Sequence, residues 1–279
     1  GHGVDASYGG HVYCNGTVIH TGGRNSGALA TDFQGGYITV RDIDATTEIP
    51  GSPGIYTAGK SIITAYNSKF LSKGCEAVMV AHSLGHTYLY DCELTGTVAL
   101  NTHNSMSPEY SYIHMFGGQL NSSKASILCA EDGKAVRNLD HVTIGDIADG
   151  NLAFAHAGGR LVANLAEMNV SGHLDREEKS YLEVNLKNAT LTGKANATVL
   201  SLDNTSVWNV TGDSKISTLS IAPGAGITAS APVTITYGTV EGTLPQAENI
   251  TFRQDPGLTD DYEAKMMMPP PGGPGGPGM

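Results

Sequence analysis

A recurrence of spacing without a fixed motif limits most what this 279-residue chain can fold into. Small or branched apolar pairs return at Ala28-Leu29, Ile55-Tyr56, Ala77-Val78, Ala99-Leu100, Ile127-Leu128 and Leu152-Ala153, at intervals of 27, 22, 22, 28 and 25 residues. After each pair comes a second strand-like run: YITVRDIDA, IITAYNSKF, TYLYDCEL, IHMFGGQL and, more loosely, RNLDHVTI. Units of this length are too short to close a core of their own, whereas units stacked in register bury a continuous one. The Asn-Gly and Asp-Gly links that join antiparallel hairpins are largely missing between these runs, with Asn15-Gly16 and Asp132-Gly133 as exceptions. A parallel β-helix therefore accounts for the pattern better than a β-sandwich. The expected organisation is one all-β solenoid over residues 1–255, followed by a Met/Pro/Gly-rich, low-complexity tail over 256–279.

Aligning the second runs on Ala45, Phe70, Leu94, Leu120 and Ile144 places Asp42, Asn67, Asp91, Gly117 and His141 in one column, as small or polar residues of a repeated turn. Side chains alternate across a strand. Val40, Ala65, Leu89, Met115 and Leu139 then point inward, with Ile38, Ile63 and Ile113 two positions earlier. The outward column between them reads Arg41, Tyr66, Tyr90, Phe116 and Asp140. After residue 174 the charge cluster HLDREEKSY precedes strands expected to shorten and to continue and close the same solenoid.

Composition narrows the partners. Charged residues make up 15% of the chain, against roughly 25% in typical soluble proteins, so polarity comes mostly from Ser, Thr, Asn and the 36 glycines. Such a mixture favours short strands and many turns. A formal charge of −11 offers no basic stripe for nucleic acid. No apolar run reaches the ~18 residues of a membrane span. The chain opens at Gly1 without an initiator Met or a signal-peptide apolar region, as in a mature or trimmed chain. Four cysteines, at 14, 75, 92 and 129, show no zinc spacing and allow three disulfide pairings; Cys129, within the apolar run SILCA, also suits a buried free thiol. No metal and no cofactor are expected. Eight sequons, at Asn15, Asn121, Asn169, Asn188, Asn196, Asn204, Asn209 and Asn249, would accept glycans in a eukaryotic secreted protein, although Asn- and Thr-rich strands also produce sequons by chance.

SPGIYTAGKSIITAYNSKF followed by CEAVMVA, and later LDNTSVWNVTGDSKISTLSI, resemble the adhesin-like right-handed β-helix proteins of the pectin-lyase-like superfold, over about residues 25 to 245. The resemblance implies that Trp208, the chain's one tryptophan, lies near the C-terminal end of the helix and closes its last coils. It implies no single function, since lyases, hydrolases and inert adhesins share the superfold.

Several groups are candidates for chemistry. GHG at residues 1–3 resembles the histidine motif of polygalacturonase-type hydrolases, but no aspartates precede it. Arg41, Asp42 and Asp91 come nearest to the base and calcium ligands of the lyases, yet the two aspartates fall two coils apart and suit turns. His82, His86, Glu93, His103 and Glu109, near Tyr88, Tyr110 and Tyr112, form the alternative enzymatic cluster of a carbohydrate-active lyase, hydrolase or isomerase, with NTHNSMSPEYSY as its covering loop. The ladder of Tyr66, Tyr90 and Phe116, flanked by Tyr88 and His114, suits stacking against sugar faces, with Arg41 supplying hydrogen bonds. The tail over 266–279 favours polyproline II and would dock on exposed aromatics, including those of a neighbouring copy. Together these features lead to the expectation of a secreted or surface-exposed, non-catalytic protein for adhesion, carbohydrate or cell-surface glycan recognition, or self-assembly into fibres.

Overall fold

The computed structural model describes residues 1–81, 84–103 and 109–262. Within them the chain is a parallel β-solenoid without helices, and its strands pair only with strands one coil earlier or later. The alternation seen in the sequence sets which side faces in: Ile38, Val40, Ile63, Ala65, Leu89, Ile113 and Met115 are all fully buried. They join one continuous apolar core that extends to Ile235.

Each early coil contains three strands rather than two. The first coil is Val4–Ser7, His11–Asn15 and Val18–Thr21, and these begin sheets of eight, twelve and six strands respectively. The runs read as single second strands are divided by the turn column, whose residues adopt left-handed backbone: Asp42 (φ 53°), Asn67 (46°), Asp91 (51°), Gly117 (69°) and His141 (55°). Asp, Asn and Gly tolerate that region, and one such residue per coil bends the chain from the twelve-stranded sheet into the next. In the eight-stranded sheet Leu29 pairs with Ile55 and Ile55 with Val78, so Gly54 rather than Tyr56 completes the second apolar pair. Apolar periodicity could not find it, because a Cβ at Gly54 would lie 2.7 Å from the Ala77 carbonyl oxygen.

The later coils change cross-section. The eight-stranded sheet ends with His173–Arg176, and the six-stranded sheet gives way to a four-stranded one built of three-residue strands, from Asn169–Ser171 to Gly226–Thr228. The expected shortening holds only there. In the twelve-stranded sheet the strands, already seven residues long at Tyr110–Phe116, keep that length at Tyr181–Lys187 and reach ten at Val233–Gly242. Trp208 lies between Leu191 and Ile227 in the four-stranded sheet, is fully buried, and donates its Nε1–H to the Gly193 carbonyl at 2.9 Å. Residues 255–262 then turn back over the twelve-stranded sheet: Ser217 Oγ donates to the Thr259 carbonyl, Asp261 pairs with Arg176, and the Arg160 guanidinium lies 3.7 Å above the Tyr181 ring and 5.5 Å from that of Tyr262.

Some inward positions of the twelve-stranded sheet carry buried hydroxyls, as at Thr87 and Ser111, but one carries a charge. Arg137, between Ile113 and Ala163 in register, is fully buried; its guanidinium donates to Thr102 Oγ1 and the Val136 carbonyl, while Nε has no partner. Burial pushes its pKa down to about 9. An uncompensated interior charge costs more than its two hydrogen bonds return. Arg137→Met should therefore stabilise the fold by about 1–4 kcal/mol, read as a higher denaturation midpoint, since Thr102 and Ser111 keep their mutual 2.7 Å bond. Trp208→Ala should cost about 3–5 kcal/mol in the same measurement, because a fully buried indole leaves a cavity and the Gly193 carbonyl keeps only the Thr211 amide as donor.

Candidate recognition face

Register carries the outward residues of the twelve-stranded sheet into columns that run along the solenoid. One column reads Asn15, Arg41, Tyr66, Tyr90, Phe116, Asp140. The next, two residues earlier on each strand, reads Tyr13, Thr39, Thr64, Tyr88, His114, Asn138. A third contains His11, Tyr37, Ile62, His86, Tyr112 and Val136, and its aromatic character was not recognised in the sequence. Extending the Tyr66 alignment back by four residues on each strand would have found it.

The rings of each column lie on one another. Tyr66 and Tyr90 have centroids 4.8 Å apart with planes 10° off parallel, Tyr90 and Phe116 are 5.2 Å apart, Tyr88 and His114 4.7 Å, and His86 and Tyr112 4.7 Å. These separations equal the strand spacing. Arg41 caps the first stack, 4.4 Å from the Tyr66 centroid. Ring faces are thus occupied by neighbouring rings and by a cation, and solvent meets ring edges and hydroxyls. This changes how the ladder can be used: face-on stacking of a sugar is blocked within each column, while edge-on hydrogen bonding stays open. The stacks also bind coil to coil, as cross-strand aromatic pairs do.

A polar ladder continues the His114 column. Asn185 Nδ2 donates to Asn164 Oδ1 at 2.9 Å, Asn164 Nδ2 to Asn138 Oδ1 at 2.7 Å, and Asn138 Nδ2 lies 3.0 Å from His114 Nδ1. With every amide pointing the same way, His114 Nδ1 accepts and its proton sits on Nε2. Glu183 anchors the far end, accepting from Asn185 and from the Tyr181 hydroxyl. His114 Nε2 and His86 Nδ1 are buried without hydrogen-bond partners among the described residues. Burial lowers the pKa of both imidazoles, and their mutual proximity and Arg137 lower that of His114 further.

The alternative enzymatic cluster is not assembled on one surface. His86 belongs to the aromatic face, whereas Glu93 begins a strand of the six-stranded sheet and pairs with Lys69 at 3.0 Å. His103 ends a strand of the eight-stranded sheet, 3.7 Å from Glu131 and 3.5 Å from Asp132. Glu109 immediately precedes the strand Tyr110–Phe116. His82, the middle of NTHNSMSPEYSY and the 266–279 tail lie outside the described residues. His2 Nδ1 accepts from the Gly27 amide, a structural use of the GHG motif. Asp42 and Asp91 are turn residues two coils apart, and no group of three or more His, Cys, Asp or Glu side chains among the described residues could hold a metal ion. All four cysteines are free thiols. Among the sequons, the Asn121, Asn188, Asn196, Asn209 and Asn249 amides donate hydrogen bonds to neighbouring coils, and Asn15, Asn169, Asn188, Asn204 and Asn249 are exposed.

The two imidazoles give the face a pH dependence of definite sign. The groups around them are Ile62, Tyr88 and Tyr112, with Asn138 beside His114 and Arg137 behind it. An unfolded chain binds protons at the ordinary histidine pKa of about 6.5, whereas the folded face takes them only at lower pH. This contribution is whole above about 6.5 and is lost as pH falls through the lowered folded values. Denaturation midpoints measured between pH 7.5 and 5 should fall, and the His86→Gln/His114→Gln double variant should flatten that slope. An unchanged slope would remove these residues as its source.

No protein-family model, curated protein or solved structure matches the chain.

Proposed function

We propose that the protein is an extracellular or surface-exposed, non-catalytic β-solenoid of the adhesin-like, right-handed kind, and that the outer face of its twelve-stranded sheet recognises carbohydrate. One observation supports this reading above the others: three adjacent columns of Tyr, His and Phe stand in register on a continuous parallel sheet. Ring stacking holds the columns rigid before any ligand arrives, so little side-chain freedom is lost on binding. Tyr66, Tyr88, Tyr90 and Tyr112 offer hydroxyls. Hydroxyl-rich chains lying along the columns would meet these groups coil after coil. The surface is an extended face with repeated polar edges, which suits adhesion to a polymer better than turnover of a single bond.

The test separates hydroxyl recognition from simple integrity of the face. Tyr66→Phe/Tyr90→Phe/Tyr112→Phe keeps each stack and deletes three hydroxyls. On a glycan array the wild type should bind, and the triple variant should bind about tenfold more weakly, at an unchanged melting temperature. Equal binding by both proteins, or no glycan bound by the wild type, would refute the reading.

A further inference from the structure

A second surface lies on the last coils, away from the aromatic columns. Where the eight-stranded sheet stops at His173–Arg176, the following coils leave a recess of about 490 Å³ lined by Lys194, Lys215, Arg253, Asp175, Asp213 and Thr236, among others. Register explains why it exists: Asn196, Lys215, Thr236 and Arg253 occupy equivalent places on successive strands. Two cations thus stand in one column with a hydroxyl between them, and Lys194 reaches the same recess from a neighbouring turn.

The carboxylates around these cations do not neutralise them. The chain has 27 Asp and Glu residues against 16 Lys and Arg. Lys69, Lys73 and Arg176 each hold a carboxylate, and Arg41, Lys134 and Arg160 lie over rings. Lys194, Lys215 and Arg253 form no ion pair among the described residues, as is also true of Arg24, Lys60, Lys124 and Lys187; the three stand apart in lining one recess together. The recess carboxylates serve other donors: Asp175 Oδ1 accepts from Asn196 Nδ2 at 2.8 Å and from the Arg176 amide at 2.9 Å, and Asp213 Oδ1 accepts from the Thr234 amide at 2.7 Å.

We infer that this recess binds a sulfate or phosphate ester carried on a hydroxylated sugar. Lys215 and Arg253 are two strand steps apart, roughly 10 Å, and their long side chains close on one tetrahedral oxyanion from opposite sides. The remaining oxygens of Asp175 and Asp213 and the Thr236 hydroxyl accept hydrogen bonds from the hydroxyls of the carrier. Those carboxylates disfavour a bare anion and select an ester whose own hydroxyls offset them. The site is independent of the carbohydrate reading of the aromatic face, so either can fail alone.

Calorimetric titration of the full chain at low salt with glucose 6-sulfate, glucose 6-phosphate, inorganic sulfate and glucose tests the inference. One or both esters should bind saturably, with the two arms identifying the preferred ester. Inorganic sulfate should bind more weakly and glucose not at all. Lys215→Gln/Arg253→Gln should weaken ester binding at least about tenfold at an unchanged melting temperature, because both side chains are exposed. The Tyr→Phe triple variant of the aromatic face should bind the esters as the wild type does. Failure of both esters to saturate by about 10 mM, equal binding of glucose or of inorganic sulfate, or an unaffected Lys215/Arg253 variant would overturn it.

Discussion

The structure depends on parallel pairing between successive coils in a fixed register. Strands inside each sheet hydrogen-bond to the coils above and below, so equivalent positions are held one strand spacing apart along the solenoid. Every column follows from this: the buried Ile and Val rows, the left-handed turn residues, and the stacked rings outside. A slip of one residue would exchange the inner and outer sets and turn Tyr66, Tyr90 and Phe116 into the core. The apolar interior therefore fixes the register, and the register builds the face.

Along one outward column the same geometry produces two kinds of surface. Tyr88 and His114 stack as rings, and beyond them Asn138, Asn164 and Asn185 form an amide ladder. Both arrangements satisfy side chains through the coil-to-coil distance, one by dispersion between flat faces and the other by hydrogen bonds of matched direction. Their junction, at His114 Nδ1, determines the tautomer of an imidazole on the proposed recognition face. Toward the C-terminus the ladder ends at Glu183 and Tyr181, beneath the returning segment 255–262 and its Arg160 and Tyr262 contacts.

The late coils show how the solenoid accommodates a changing sequence. Loss of the eight-stranded sheet narrows the coil, and the long strands of the twelve-stranded sheet take over its wall. Trp208 fills the interior where Leu191 and Ile227 adjoin it. The recess with Lys194, Lys215 and Arg253 is a product of the same transition, since it opens where a sheet has ended.

The sequence by itself determined the parallel solenoid, the inward row through Val40, Ala65 and Leu89, the turn column at Asp42, Asn67 and Asp91, and the alignment of Tyr66 with Tyr90 and Phe116. These follow from alternation and repeat length, which are local properties of the chain. The three-strand coil was less legible, because the left-handed turn within each second run is made by a single residue, and the Gly54 position was hidden because close backbone approach leaves no apolar signature. Only the tertiary structure decided that the rings face one another, that Arg137 lies inside, that His86, Glu93 and His103 fall on three different sheets, and that three distant cations share a recess. Those outcomes depend on side-chain direction and on which coil lies beside which, and both are set by long-range register rather than by neighbouring residues.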